Sequence, residues 1–147
     1  MADQPNILLL EDDEVDQIGF SRFAKNNDFP YSYDIAGSVQ EAKTLMDMKS
    51  YDAVVMDYRL PDGTAEDIWK ELESTPYLII TGLGDIEIAV HAMKSGAADF
   101  IVKDNSGKNL HLKTLQVSIK KAIRTKEAEE ELEQYRNHME AMVEDGA

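Results

Sequence analysis

Acidic residues follow two apolar runs of this chain at the point where each run ends. Asn6–Leu10 leads into the acidic run Glu11–Asp13, and Ala53–Met56 leads into Asp57. Both runs are too short for a helix, and the second carries β-branched valines, so each is typical of a buried strand. Ligands of an open parallel sheet bind beyond the carboxyl ends of its strands. The pattern therefore places carboxylates where chemistry occurs, although a strand-end aspartate also serves as a loop cap.

Two later strands add a hydroxyl group and an ammonium group at the same edge. Tyr77–Ile80 is followed by Thr81, and the last predicted strand, beginning at Asp99, ends in Lys103. Crowded carboxylates repel one another unless a cation lies among them, so the cluster predicts a hard divalent ion. Because the ligands are oxygen atoms and the chain has no cysteine, Mg²⁺ or Mn²⁺ is favoured over zinc.

This set of groups is typical of phosphoryl transfer. A metal ion, a lysine and a small hydroxyl would together meet the oxygens of a phosphoryl group. Asp57 is the best nucleophile, because a carboxylate can form an acyl phosphate without prior deprotonation and because its strand lies between the others. Catalysis would consist mostly of positioning and charge neutralisation.

Five strands alternating with helical patterns must position these groups, which predicts a doubly wound parallel α/β sheet. Helix signals include a capping box at Ser38–Glu41 and a left-handed terminator at Gly96. Trp69 is interpreted as a packing residue of the third helix. The expected inner faces are Ala65, Ile68, Trp69 and Leu72 for the third helix, and Ile86, Ala89, Val90 and Met93 for the fourth.

Composition limits the classes of function. The 147 residues fit one domain with a small appendage, and the net charge of −14 argues against nucleic acid or an anionic membrane surface as direct partners. The N-terminus has no basic region, and its first apolar run is too short for a signal peptide or a membrane span, so we expect a cytoplasmic protein.

The set Glu11-Asp12, Asp57, Thr81 and Lys103, in this order on successive strand ends, resembles the receiver domain of two-component response regulators. The resemblance covers residues 6 to about 124. It implies a flavodoxin-like three-layer sandwich with a five-stranded sheet in the order 2-1-3-4-5. It also implies a signalling switch rather than a true enzyme: a histidine kinase or a phosphotransfer protein phosphorylates Asp57, and the conformation then changes to control a partner or output module.

The resemblance also assigns roles to single residues. Asp12, Asp57 and the backbone carbonyl of Arg59 would bind Mg²⁺, with Glu11 acting through water. Lys103 would hold one phosphoryl oxygen and Thr81 would close onto another. Phe100 matches the aromatic residue that turns inward when the threonine moves.

Several positions depart from the common pattern of that family: Asp104, Arg59, Leu83, and Phe100, which lacks the hydroxyl group of a tyrosine. Asp104 follows Lys103 where many relatives have proline, which leaves the geometry of this peptide bond open. Leu83 stands two residues after Thr81, where it cannot orient a hydrolytic water by hydrogen bonding. This departure predicts a slowly hydrolysing acyl phosphate.

The last predicted helix continues beyond the receiver pattern. Leu112, Leu115, Ile119 and Ile123 face the sheet, and an apolar heptad pattern then follows at Ala128, Leu132, Tyr135, Met139 and Met142. Composition changes near residue 125, where a basic segment gives way to eight acids between residues 125 and 147. We expect residues 1–124 to form the receiver and 125–147 a helical extension. The extension would be a short coiled coil that forms a homodimer, a linker to an output module, or a frayed acidic tail.

Three other classes of protein share part of this pattern. Phosphatases with an aspartate nucleophile usually place a second acid two residues later, where this chain has Arg59. A flavin-binding module would need a phosphate loop rich in Ser, Thr or Gly after the first strand, and this chain has Glu11–Asp13 there. A structural coiled-coil adaptor would not need Asp57.

Overall fold

The computed structural model describes residues 4–104 and 106–146, with side chains through residue 143. Ten main elements follow one another along the chain. They are β1 (Asn6–Leu10), α1 (Glu14–Asn26), β2 (Ser32–Ala36), α2 (Val39–Met48), β3 (Ala53–Asp57), α3 (Glu66–Trp69), β4 (Tyr77–Thr81), α4 (Ile86–Ser95), β5 (Asp99–Val102) and α5 (His111–Gly146). A short hairpin connects β3 to α3, and its two antiparallel strands are Arg59–Leu60 and Gly63–Thr64.

The five main strands form one parallel sheet in the order β2-β1-β3-β4-β5. This is the predicted flavodoxin-like order, so the fold class is confirmed. Leu10 pairs with Met56, and Asp57 pairs with Ile80 on the next strand. In this register the residues that follow β1, β3 and β4 reach the same edge of the sheet.

The sheet is buried on both faces because successive strand residues point to opposite sides. Leu8 and Met56 lie in a core cluster with residues of α2, α3 and α4. Leu9 and Val55 lie in a second cluster with residues of α1 and α5. The molecule therefore has three layers, with α1 and α5 on one face and the other three helices on the opposite face.

Side-chain caps fix the starts of the first two helices. Asp13 accepts hydrogen bonds from the backbone N–H groups of Val15 and Asp16, at 2.8 and 3.3 Å. The Ser38 hydroxyl accepts from the N–H of Glu41 at 3.1 Å, which forms half of the predicted capping box. The Glu41 carboxylate accepts from Gly37 instead of Ser38. Gly96 ends α4 at a φ of 112°, in the left-handed region as predicted.

The predicted inner face of α4 is mostly wrong. Ala89 is buried, but Ile86, Val90 and Met93 are exposed. The second buried residue of this helix is Ala92. Because alanines let the helix backbone lie close to the sheet, they form the contact, and the longer apolar side chains extend past it to solvent.

The helix α3 is shorter than the predicted pattern. Its α-helical part has only four residues, although Ile68 and Trp69 are buried as expected.

No helix in the described ranges is long and apolar enough to cross a membrane.

Candidate phosphoryl and metal site

Three carboxylates meet at the C-terminal edge of the sheet. Asp57 is the last residue of β3, and Glu11 and Asp12 directly follow β1. Each of the three places one oxygen within 4.8 Å of the oxygens of the other two. The juxtaposition predicted from the strand ends is therefore present in the structure.

Lys103 lies at the centre of this acidic cluster. Its Nζ atom donates to Glu11 Oε1 at 2.9 Å and to Asp57 Oδ2 at 3.2 Å. The Lys103 backbone N–H donates to the Thr81 carbonyl at 2.7 Å, which extends the β4–β5 pairing beyond the end of β5. One ammonium group thus neutralises carboxylates that come from two different strand ends.

Sequence reasoning missed a fourth carboxylate at this site. Asp16, in the first turn of α1, accepts a hydrogen bond from Lys103 Nζ at 2.8 Å, the shortest of the three contacts. Acidic residues in a first helical turn ordinarily interact with the helix dipole, so the sequence alone carries no signal that separates Asp16 from Glu14. Only the fold brings the first turn of α1 close to the end of β5, so that Asp16 reaches Lys103.

Burial and charge shift the pKa values of two of these groups. Glu11 is 3% exposed, and its burial, together with the neighbouring charge of Asp57, raises the pKa of Glu11 from 4.5 to about 7 against the opposing effect of Lys103. Burial alone would lower the pKa of Lys103, but the hydrogen bonds that its ammonium group donates to Asp16 and Glu11 outweigh burial and raise that pKa above its ordinary value. Lys103 is therefore protonated at neutral pH.

The two residues predicted to act as switches lie on neighbouring strands. Thr81 is the last residue of β4 and is buried. Thr81 pairs with Val102, which immediately precedes Lys103. Phe100 pairs with Ile79 and is 37% exposed, so its ring is partly accessible to solvent. Their roles in a conformational switch stay predictions.

Arg59 lies in the short hairpin that follows β3, and Leu83 lies in the loop that follows β4. The Arg59 guanidinium forms an ion pair with Asp85 at 3.5 Å, and Leu83 is 73% exposed. The role of the Arg59 carbonyl as a metal ligand stays a prediction.

The loop after Lys103 is organised by Asp104, whose carboxylate accepts hydrogen bonds from the backbone N–H groups of Ser106 and Leu110. No cis peptide bond occurs in the described part of the chain, so the Lys103–Asp104 bond is trans.

The donor set fits a magnesium ion. Three carboxylates from three residues converge, and no histidine or cysteine belongs to the group. Hard oxygen ligands of this kind suit Mg²⁺, which usually takes one or two carboxylates and keeps several waters. Asp12 is exposed and Asp57 half-buried, so solvent and a phosphoryl donor can reach the two residues.

Comparison with known proteins agrees with this geometry. Residues 7–115 match the family described as response regulator receiver domain. The alginate biosynthesis transcriptional regulatory protein AlgB of Pseudomonas putida is 31% identical over 116 residues, which cover 76% of this chain and 26% of AlgB. The chain spans about a quarter or less of the length of the curated relatives that it matches.

Solved structures share the fold. The non-phosphorylated receiver domain of HemR from Leptospira biflexa matches with a TM-score of 0.64 at 31% identity, over 82% of this chain and 94% of that one. Full-length FixJ from B. japonicum matches with a TM-score of 0.74 at 25% identity, over 98% of this chain and 70% of FixJ.

Proposed function

The chain belongs to the response regulator receiver domain family, and on this premise we propose that it is a signalling switch that accepts a phosphoryl group on Asp57. Receiver domains are components of two-component signalling and are not classical enzymes. The observation that carries the proposal is the contact of Lys103 with both Glu11 and Asp57 at the C-terminal edge of the sheet. We propose no catalysis beyond self-catalysed phosphotransfer and slow autodephosphorylation.

In the proposed reaction a carboxylate oxygen of Asp57 attacks the phosphorus of a phosphohistidine on a kinase or phosphotransfer protein. A P–O bond forms as the P–N bond breaks, and the histidine nitrogen keeps the electron pair. Lys103 would move from its present contacts with the carboxylates to a phosphoryl oxygen, because one ammonium group cannot hold all of these oxygens at once. The transition state is loose, so alignment and charge neutralisation by these side chains supply most of the rate.

Asp12 and Asp57 are the proposed direct protein ligands of Mg²⁺ (or Mn²⁺), with the Arg59 carbonyl, while Glu11 acts through water. The bound ion would supply positive charge against the phosphoryl oxygens. The close approach of the three carboxylates supports this assignment, since such a cluster is costly without a cation. Thr81 would then close onto another phosphoryl oxygen, and Phe100 would move inward as Thr81 moves.

The proposal is tested by incubating the protein with Mg²⁺ and acetyl phosphate, or with beryllofluoride, beside Asp57→Asn. We expect a labile phosphoryl adduct in the wild type that the variant lacks, and a conformational change with either reagent. Asp52→Asn is a matched control, because it removes the same charge at the opposite end of β3. Absence of both adduct and conformational change in the wild type would overturn the proposal.

We also propose that the acyl phosphate hydrolyses slowly. Leu83 is exposed two residues after Thr81 and offers no hydrogen bond to an attacking water. Leu83→Asn or Leu83→Glu should therefore accelerate loss of the phosphoryl group, measured by following the adduct after acetyl phosphate is removed. An unchanged rate in both variants would show that Leu83 does not limit hydrolysis.

The remaining parts of the proposal concern partners and organisation. A histidine kinase or phosphotransfer protein is the proposed donor, and the cytoplasm the proposed location, with no direct contact to nucleic acid or membrane. We place the receiver at residues 1–124 and the extension at 125–147, although α5 runs through residue 124 without a break. The exposed extension supports self-association or a link to an output module.

A further inference from the structure

The second half of α5 is an exposed helix that the receiver does not cover. The helix has 36 residues and is therefore about 54 Å long. Every described side chain from residue 127 to residue 143 is exposed. The like-charged pairs Glu127–Glu131 and Glu129–Glu133 weaken an isolated helix, because residues four apart are neighbours on its surface. A second helix would supply the stability that this segment lacks.

An apolar stripe runs along this exposed segment. We define the tail stripe as Ala128, Leu132, Tyr135, Met139 and Met142. The last four of these side chains are between 44% and 62% exposed. Their spacing of four, three, four and three residues is the heptad spacing of a coiled coil.

The tail stripe does not continue the face of α5 that packs on the sheet. The buried face carries Leu115 and Ile119, whereas the tail stripe lies roughly 170° away around the same unbroken helix, at about 100° per residue. The stripe lies on the solvent side of α5, in line with exposed Val117. The receiver's own core cannot cover it, so the partner must come from outside the domain.

The charges beside the stripe identify that partner as a second copy of this chain. In the heptad that the stripe defines, Arg124 and Glu131 occupy g positions, and Glu129 and Arg136 occupy e positions. Two parallel helices in register place each g residue beside the e residue five positions later on the other helix. Arg124 would then face Glu129, and Glu131 would face Arg136, once on each side of the dimer. All four pairs are attractive, and all four residues are exposed in one chain.

We infer that two copies associate through residues 124–143 as a parallel, in-register coiled coil. This inference deepens the self-association proposed above and depends on it. An antiparallel pair that aligns the same stripe would place Glu131 opposite His138 of the second copy, and the Glu131–Arg136 contact would be lost. The arrangement holds the two α5 helices side by side with both receivers at the same end of the coiled coil.

Charge reversal separates this pairing from a general effect of net charge. Glu131→Arg turns two attractive contacts into two repulsive ones and should weaken the dimer about tenfold, measured by sedimentation of the full chain over a wide concentration range. Glu131→Arg combined with Arg136→Glu should restore most of the affinity. Glu133→Arg is the matched control, because it makes the same charge change at a position facing away from the stripe. Equal weakening by Glu131→Arg and Glu133→Arg would overturn the pairing.

Cysteine cross-linking tests the orientation independently, because the chain has no cysteine of its own. Ala128→Cys and Met142→Cys, made separately, should each give a disulfide-linked dimer under mild oxidation, since each residue faces its own copy in a parallel register. Glu133→Cys should not. If the chain dimerises but cross-links form only when Ala128→Cys is mixed with Met139→Cys, the helices are antiparallel and the inferred register is wrong. A chain that stays monomeric at every concentration would overturn self-association itself, and phosphorylation of Asp57 would be unaffected by that result.

Discussion

At the scale of single residues, the site is organised by one ammonium group shared among three carboxylates. Lys103 contacts Glu11, Asp16 and Asp57 within 3.2 Å. A phosphoryl group on Asp57 would compete for the same lysine. Each present contact of Lys103 with a carboxylate therefore opposes its movement to a phosphoryl oxygen. Asp16 makes the shortest contact and has no place in the predicted metal or phosphoryl chemistry. Replacing Asp16 is therefore the change that we expect to accelerate phosphoryl transfer to Asp57.

We predict that Asp16→Asn accelerates formation of the phosphoryl adduct from acetyl phosphate. Neutralising Asp16 removes an ion pair that holds Lys103 and also a negative charge near the incoming phosphoryl oxygens. The expected gain is about fivefold, since a partly exposed ion pair contributes up to about 1 kcal/mol. Glu14→Gln is the control, because Glu14 is an exposed acid in the same helical turn. A slower reaction in Asp16→Asn would show that Asp16 instead holds Lys103 in its reactive position.

Glu11 gives the site a dependence on pH. Its pKa is raised to about 7 in the folded protein, from an ordinary value of 4.5, mainly by burial. Between these values the folded protein keeps a proton that the unfolded chain has released, so this group reduces stability as the pH rises through that window. Magnesium requires the ionised carboxylate. We therefore predict that Mg²⁺ affinity increases as the pH rises towards and through about 7, and then levels off.

Titration calorimetry with Mg²⁺ at several pH values measures this effect. Glu11→Gln should bind the ion more weakly and with a flatter pH profile. If the two profiles have the same slope between pH 6 and 8, a group other than Glu11 controls the pH dependence.

At the scale of elements, the strands and their ends were predictable, whereas the helix faces were only partly so. Short buried runs such as Ala53–Met56 have few alternative structures, and a parallel sheet brings their ends to one edge whatever covers its faces. The buried face of α4 depends on how closely the helix approaches the sheet. Two alanines allow a close approach, which periodicity alone did not distinguish from burial of Ile86. Asp16 reaches Lys103 only because the fold brings together two residues that are 87 positions apart in the sequence.

The short helix α3 depends on one aromatic side chain. Trp69 is 6% exposed, and its ring is stacked on Tyr77 with centroids 5.7 Å apart. We predict that Trp69→Ala lowers the free energy of unfolding by about 3–5 kcal/mol, because it leaves a cavity between α3 and the sheet. Urea unfolding measures the change. Met48→Ala, at a residue that is 76% exposed, should change stability by less than about 0.5 kcal/mol. An equally small change for Trp69→Ala would show that neighbouring residues fill the cavity without lowering the free energy of unfolding.

At the scale of the whole molecule, the chain divides into a packed receiver and a helix that leaves it. The buried residues of α5 end at Ile123, and the described side chains from residue 127 onward are exposed. The receiver core is therefore complete without the extension. The extension carries eight acidic residues against Lys126 and Arg136, so it contributes −6 of the net charge of −14.

We predict that a chain ending at Lys126 folds with nearly the stability of the full chain under conditions where the full chain is monomeric. The described side chains among the removed residues are all exposed, so the free energy of unfolding should change by less than about 0.5 kcal/mol. The full chain should instead show a melting temperature that rises with protein concentration, because dimerisation stabilises the folded state by mass action. The shortened chain should lose that dependence and keep phosphorylation of Asp57. If shortening the chain lowers its stability at all concentrations, the extension supports the receiver directly rather than through a second copy.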